Sequence, residues 1–368
     1  MTEKLIYASP DVDVDGLVRI GKRNRVVGVS YATDRRRVVY FDADIHKIMT
    51  SLAKALPKQP SIDVVDASVD ESKLLILASS DADPGVYYIF DRQSHQLQTF
   101  LVVRSELEGV PLARVTAVSF PAADGTQVPG YLTMPPGVEA AKHLPAIVLP
   151  HGGPGARDER GFDWLSQFFA VRGFAVLQPN FRGSTGYGDA WYEQNGFRSW
   201  PTAIADVLDG GRWLIAKGIA DPNKLGVLGW SYGGYAALQC AVTDPGVFKA
   251  VVAIAPVTDL QDLKDDERGW SEHDLVSRMI GDGPLVAAGS PARNAAKIKV
   301  PVLLFHGAMD RNVSIFQSQK MARNLEAAHV PHELITWDDL DHYLEDSSAR
   351  AKMLRKSEEF LKQSFAAQ

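Results

Sequence analysis

The sequence predicts an α/β protein with a mostly parallel, doubly wound sheet, preceded by a β-rich segment. Three observations predict it. From about residue 115 onward, continuous apolar runs alternate with stretches of helical periodicity. The first 110 residues instead carry short β-branched and aromatic runs broken by Asp, Gly, Ser and Pro. A lone serine also stands between glycines at the end of one apolar run, in GVLGWSYGGYAAL (226–238). The expected organisation is therefore a β-rich segment over residues 1–110 and an α/β domain over 111–368.

In the first segment, RVVGVSY (25–31), RVVYFD (37–42), SIDVVDA (61–67), KLLILASS (73–80), GVYYIFD (85–91) and LQTFLVV (97–103) read as strands. VYFD ends at Asp42 and YIFD at Asp91, 49 residues apart. That repeat suits β-propeller blades, which take about 40–50 residues each. Between the two copies, Ile45, Ile48, Met49, Leu52, Ala55 and Leu56 recur at helical spacing, so one amphipathic helix interrupts the strands. A propeller segment too short to close leaves strand edges with unpaired backbone groups. Such edges predict either tight packing on the following domain or a homo-oligomer. DVDVDG (11–16) matches the front of a calcium-binding loop, but the twelfth position is Lys22, where a bidentate Glu is needed. No metal is expected there.

In the second segment, PAIVLP (145–150), FAVLQPN (174–180), KLGVLGW (224–230), AVVAIAPV (250–257) and VPVLLFHG (300–307) are apolar throughout, as strands covered on both faces require. Helical patterns lie between and after them, at 162–173, 203–218, 235–242 and 314–329. Repeated βα units imply parallel strands joined by right-handed crossovers. Reactive groups then belong at the carboxyl ends of those strands.

Composition narrows the function classes. The chain has 368 residues, 45% hydrophobic and 23% charged, with a net charge of −6. That balance fits a globular protein with a large core and argues against a nucleic-acid partner, which would need a basic face. The basic clusters GKRNR (21–25) and DRRR (34–37) read as solvated turns. Cys240 is the sole cysteine, which excludes an intrachain disulfide and a Cys-based zinc site; in an apolar stretch it reads as a small buried hydrophobe. No apolar run reaches the roughly 18 residues that span a membrane, and MTEKLIYASP lacks a leader's apolar core. A cytoplasmic location and no membrane partner are the expectations.

The serine now has a context. KLGVLGW is a strand, Ser231 follows it, and YGGYAALQCAV opens a helix, which is the setting of a Gly-x-Ser-x-Gly nucleophile elbow. A serine hydroxyl needs a base, and the base an orienting acid. In a sheet of this type the chain order is Ser, acid, His. Asp310 lies just past the strand VPVLLFHG, and His342 lies in the loop after the strand at 333–337. Asp259 also follows an apolar run and is a weaker rival for the acid; no other histidine follows the last strand. His306, inside the strand before Asp310, reads as structural. Acyl transfer also needs donors aimed at the developing oxyanion. The backbone N–H of Tyr232 and that of Gly153, in LPHGGPG (149–155), stand where such donors belong.

With HGGPG, NFRGSTGYG (180–188), GWSYGGY (229–235), HGAMDRNV (306–313) and DH (341–342) in this order, the chain resembles the prolyl oligopeptidase family over roughly residues 115–365. It is most similar to the dipeptidyl aminopeptidase/acylaminoacyl peptidase branch. The resemblance implies an α/β-hydrolase fold with the remnant of a truncated propeller before it. It also implies a Ser231–Asp310–His342 triad, oxyanion donors at Tyr232 and Gly153, and no cofactor. The implied activity is cleavage of peptide or acyl-amino-acid bonds, with a carboxylesterase acting on small esters as the alternative. Two local departures stand out. Ser314 replaces a frequent proline, and Asp341 and Tyr343 replace glycines that often flank the family's histidine.

Overall fold

A computed structural model of the chain describes residues 4–56, 58, 61–138, 142–269 and 271–367. The first three residues of the stretch considered above as a leader lie outside them. Among the described residues the strands form three sheets, of three, four and eight strands. The chain divides into two compact units. One runs to Thr116 and takes in Glu159–Gln167 and Gly186–Gly188; the other holds Ala117–Asp158, Phe168–Thr185 and the chain from Asp189 onward.

The first unit is a pair of antiparallel meanders. β1 (Val14–Ile20), β2 (Arg25–Ala32) and β3 (Arg36–Tyr40) pair in order, then helix α1 (Ala43–Ala55) follows. β4 (Ser61–Ala67), β5 (Lys73–Ser80), β6 (Asp83–Asp91) and β7 (Leu97–Val102) form the second meander. The VYFD and YIFD copies thus close the third strand of successive meanders, as in successive propeller blades. Their aspartates do the same local work. Asp42 accepts from the N–H groups of Asp44 and Ile45 and caps α1, and Asp91 accepts from those of Gln93 and Ser94 and opens a turn. In the first meander α1 stands where the second has its fourth strand. Its buried face, Ile45, Met49 and Leu52, packs with Ile20, Val27, Leu74, Ile76 and Phe90 into one core.

The sequence reading passes over β1. Gly16, Val18 and Ile20 alternate inward, but Leu17 on the outer face is exposed, which blurs the period-two signal. The calcium-like motif runs into this strand, and Asp15 receives a bidentate hydrogen bond from Arg36. The basic clusters are likewise engaged by carboxylates. Arg25 pairs with Asp42 and Glu71 at 2.6 Å each, and Arg36 also pairs with Glu159. Buried Gln167 exchanges two hydrogen bonds with the Ala113 backbone and donates to the Asp81 carbonyl, which explains why 159–167 belongs with this unit.

The second unit is built on the eight-stranded sheet. Its strands are β8 (Val115–Pro121), β9 (Gln127–Thr133), β10 (Leu144–Val148), β11 (Ala175–Pro179), β12 (Ala220–Trp230), β13 (Val251–Ile254), β14 (Val302–Gly307) and β15 (His332–Trp337). Their spatial order is β15-β14-β13-β12-β10-β11-β9-β8. From β11 to β15 every pairing is parallel, and β9 joins β11 antiparallel. The sequence reading passes over β8 and β9; in β9, Pro129 and Gly130 interrupt the strand pattern.

The helices are α2 (Trp164–Ala170), α3 (Asp189–Tyr192), α4 (Trp200–Ala216), α5 (Tyr232–Thr243), α6 (Leu260–Asp266), α7 (His273–Ile280), α8 (Pro284–Ala288), α9 (Ile315–Ala327) and α10 (Ser347–Ala366). From Tyr232 to Val242 every residue of α5 is buried. Cys240 lies within it, and burial pushes its thiol well above the ordinary range, as fits a packing residue. Among the described residues no helix is long and apolar enough to cross a membrane.

β10 lies between β11 and β12, so the chain leaves it in one direction and later returns on its other side. The carboxyl ends of β10 and β12 therefore flank the switch point of the sheet, where a crevice is expected. Gly153 follows the first of these strands and Ser231 the second.

Loss of a helix cap is the cleanest test of the repeat's local logic. Asp42→Ala should destabilise the first unit by about 1 kcal/mol, read as a shift in the denaturant midpoint at unchanged slope. An unchanged midpoint would show that α1 does not depend on this cap.

Candidate active site

Ser231 sits at the turn from β12 into α5 with φ 59° and ψ −120°, a conformation that costs a non-glycine residue about 1–3 kcal/mol. The turn is held by the Ser231 N–H donating to the Ile254 carbonyl (2.8 Å) and the Tyr235 N–H donating to the Ser231 carbonyl (3.0 Å). The glycines around it answer to space. A Cβ on Gly229 would lie 2.1 Å from the Gly233 carbonyl oxygen, and one on Gly233 would lie 2.1 Å from that of Pro150. Strand, helix and the β10 end thus meet backbone to backbone, with the serine at the crossing.

His342 and Asp310 meet on the loops after β15 and β14. The His342 Nδ1–H donates to Asp310 Oδ2 at 2.6 Å. The other carboxylate oxygen accepts from the backbone N–H groups of Asn312 and Val313, each at 2.8 Å. His306 Nε2 also lies 3.1 Å from Oδ2. Burial opposes ionisation of Asp310, but the bonds from His306, His342 and Val313 outweigh it and hold the carboxyl well below the usual carboxylate range. With its Nδ1 proton fixed on Asp310, the neutral His342 ring leaves Nε2 as the site that can take a proton.

The loop that carries His342 is tied to β12, the strand before Ser231, and to α10. Trp230 Nε1–H donates to the His342 carbonyl (2.9 Å), and Arg350 donates to that of Tyr343 (2.9 Å). Gly307 has no room for a Cβ, which would fall 2.3 Å from the Leu340 carbonyl, so the 338–342 loop closes directly onto the end of β14. Ser314, in place of proline, caps α9 by accepting from the Phe316 N–H, and Asp341 accepts from the Tyr343 N–H. Asp259 is engaged elsewhere: it caps α6 and binds Arg293 (2.7 Å) and Lys320 (2.6 Å).

Gly153, Trp230, Ser231, Asn312, His342 and Arg350 line one open cleft of about 430 Å³. Tyr232 is the first residue of α5, so its N–H lies at a helix start, while its ring is buried against Phe181 and Phe197. Gly153 has φ 123°, which calls for glycine. Its peptide plane is set from behind by His151, whose Nδ1 lies 2.7 Å from the Gly152 carbonyl and whose Nε2 lies 2.8 Å from Ser184 Oγ. The Phe181 carbonyl near Ser184 already accepts from the Ser184 and Trp191 N–H groups. The Ser184 hydroxyl lies between two acceptors, the Phe181 carbonyl (2.6 Å) and His151 Nε2 (2.8 Å), while the His151 Nδ1–H donates to Gly152. In a trans peptide, fixing the Gly152 carbonyl fixes the Gly153 N–H on the opposite side. Burial pushes the His151 imidazole down to about 4, against the pull of the Gly152 carbonyl, so it stays neutral in this role.

Sequence reasoning missed three groups around this site, His151, Trp230 and Arg350, and read His306 as structural without its contact to Asp310. His151 and His306 carried a signal through their places in HGGPG and HGAMDRNV, whereas Trp230 acts through His342, far away in the chain.

The fold and this arrangement at its switch point define an α/β-hydrolase. The family model of the prolyl oligopeptidase family matches residues 160–368, and the chain belongs to that family of serine peptidases. It is 30% identical over 356 residues to a dipeptidyl aminopeptidase BIII of Pseudoxanthomonas mexicana, covering 92% of this chain and 51% of the relative. It is 30% identical to dipeptidyl peptidase family member 6 of Caenorhabditis elegans over 77% of this chain and 42% of the relative. The chain thus spans about half the length of the curated relatives it matches. Two solved structures share the fold. One, a puromycin-hydrolyzing peptidase of Mycobacterium tuberculosis, has TM-score 0.81 and 23% identity over 98% of this chain and 56% of that one. The other, an acylaminoacyl peptidase of Pyrococcus horikoshii, has TM-score 0.76 and 19% identity over 96% and 56%.

Two outcomes follow from the geometry. Gly233→Ala should lower Tm and soluble yield far more than Gly161→Ala, where a Cβ meets nothing within 4 Å; equal effects would refute the close approach. A histidine held neutral by the fold weakens it once the unfolded chain takes up a proton. Stability should therefore fall as pH drops from about 6.5 to about 4, by at most about 1.4 kcal/mol per pH unit from His151. Denaturant titrations of the wild type and His151→Gln should differ in slope over that window, and identical slopes would refute the assignment.

Proposed function

We propose that this chain is a serine hydrolase that cleaves peptide or acyl-amino-acid bonds through an acyl-enzyme, with Ser231 as nucleophile, His342 as base and Asp310 as orienting acid. The observation that carries the reading is the 2.6 Å bond from His342 to a buried, ionised Asp310, with Ser231 and His342 lining the same cleft. In this mechanism His342 Nε2 takes the Ser231 proton as Oγ attacks the acyl carbon. The N–H groups of Tyr232 and Gly153 receive the oxyanion. The intermediate then collapses, the leaving amine takes the proton from His342, and water repeats the sequence to release the acid. The relatives named as dipeptidyl aminopeptidase, puromycin-hydrolyzing peptidase and acylaminoacyl peptidase support a peptide or aminoacyl substrate.

The decisive comparison is turnover of peptide p-nitroanilides against p-nitrophenyl esters. Cleavage of anilides supports the peptidase, whereas turnover of esters alone would favour a carboxylesterase using the same groups. Ser231→Ala and His342→Ala should each lower kcat by at least about a thousandfold with the fold intact. Asp310→Asn should be of similar severity, because the amide can hold the imidazole in the wrong tautomer. A phosphonate should label the wild type at Ser231. More than about a tenth of activity surviving in Ser231→Ala would exclude the mechanism.

A homo-oligomer formed through the first unit belongs to the same reading. β7 ends its sheet, and Phe100 and Leu101 on it are 61% and 53% exposed in a run without charge. Light scattering should report more than one chain per particle, and Phe100→Lys should reduce it toward the monomer. A wild-type monomer would refute this part.

A further inference from the structure

The Asp310 carboxylate faces two histidines. His306 lies in β14, four residues before Asp310, and is fully buried. Its Nε2 is 2.9 Å from the Val313 carbonyl and 3.1 Å from Asp310 Oδ2, both acceptors, so Nε2 carries a proton. Its Nδ1 is 2.7 Å from Ser318 Oγ of α9, a hydroxyl able to donate to it. One neutral tautomer therefore meets every neighbour of this ring. The same Oδ2 accepts from His342 Nδ1 at 2.6 Å, and Oδ1 accepts from two backbone N–H groups. The single His306 Nε2–H is shared between the Val313 carbonyl and Oδ2, so the carboxylate meets three full donors and part of a fourth.

We propose that His306 is a positioning residue of the acid–base pair: its Nε2–H occupies one acceptor site of Oδ2, fixes the carboxylate facing His342 and shares its charge between two imidazoles. The inference rests on the triad reading above. Its consequence is a direction. A carboxylate that gives part of its charge to His306 holds the His342 imidazolium less tightly, so the base is released at lower pH than it would be without His306. Ser318 on α9, which faces His306, does not titrate, and Arg311 follows Asp310 in sequence. Asp339, Asp341 and Glu345 line the adjoining open cleft with Arg311. His342 and His306 are the histidines in contact with Asp310 among the described residues.

The test compares His306→Leu, which removes the donor, with His306→Gln, whose amide nitrogen can reach the position of Nε2. In the full chain, the acid limb of kcat/KM for a peptide p-nitroanilide should move upward by about half a pH unit or more in the Leu variant, a loss of about threefold at the foot of the limb. The Gln variant should restore the wild-type limb. A limb that stays in place or moves downward in His306→Leu, or moves equally in both variants, would overturn the inference.

Should the Leu variant fail to fold, NMR of the wild type labelled with 15N-histidine decides. His306 should carry its proton on Nε2, and a proton on Nδ1 alone would overturn the proposal. Failure of the triad reading shows separately, as activity or phosphonate labelling that survives in Ser231→Ala.

Discussion

Much of the second unit depends on one close backbone approach. Gly229 at the end of β12, Gly233 in the first turn of α5 and Pro150 after β10 approach so nearly that a methyl group fits at neither glycine. That contact holds Ser231 in a left-handed conformation that its side chain disfavours. It also brings the ends of β10 and β12 together, so Ser231 and Gly153 reach the same cleft. The strain at the serine is offset by the burial of α5, whose residues from Tyr232 to Val242 are all shut off from water.

Around that fixed point the site is assembled by loops whose own hydrogen bonds are local. Asp310 accepts from the next turn of its own loop, Asp341 from Tyr343, and Ser314 from the start of α9. The bonds that bring the loops together run between distant residues: Trp230 to His342, and His342 to Asp310. Each loop is thus shaped by its own sequence and joined to the next by a small number of directed bonds. Such bonds are worth most where water is excluded.

The first unit follows another logic. Two meanders share one core through α1, and the VYFD and YIFD copies mark equivalent strand ends. Their aspartates were chosen for turn chemistry, capping a helix in one case and a turn in the other. Its arginines pair with carboxylates at partly exposed positions, where ion pairs contribute little to stability. The hydrophobic seam of Ile45, Leu74, Ile76 and Phe90 carries the packing instead.

The sequence alone determined the features that reside in short stretches of chain. Apolar runs gave the parallel strands, helical spacing gave α1, α4, α5 and α9, and Gly-x-Ser-x-Gly between a strand and a helix placed Ser231 at its turn. The order of Asp310 and His342 after successive strands was legible for the same reason. Tertiary structure decided what depends on residues distant in sequence. It put Asp310 against His342 and turned Asp259 toward Arg293 and Lys320, although both aspartates follow strands. It also set His151 against Ser184, 33 residues further along the chain. A side chain's partner across the sheet is fixed by which strands become neighbours and by how far each loop folds back. Local periodicity encodes neither, so those contacts exist only once the chain is closed into its fold.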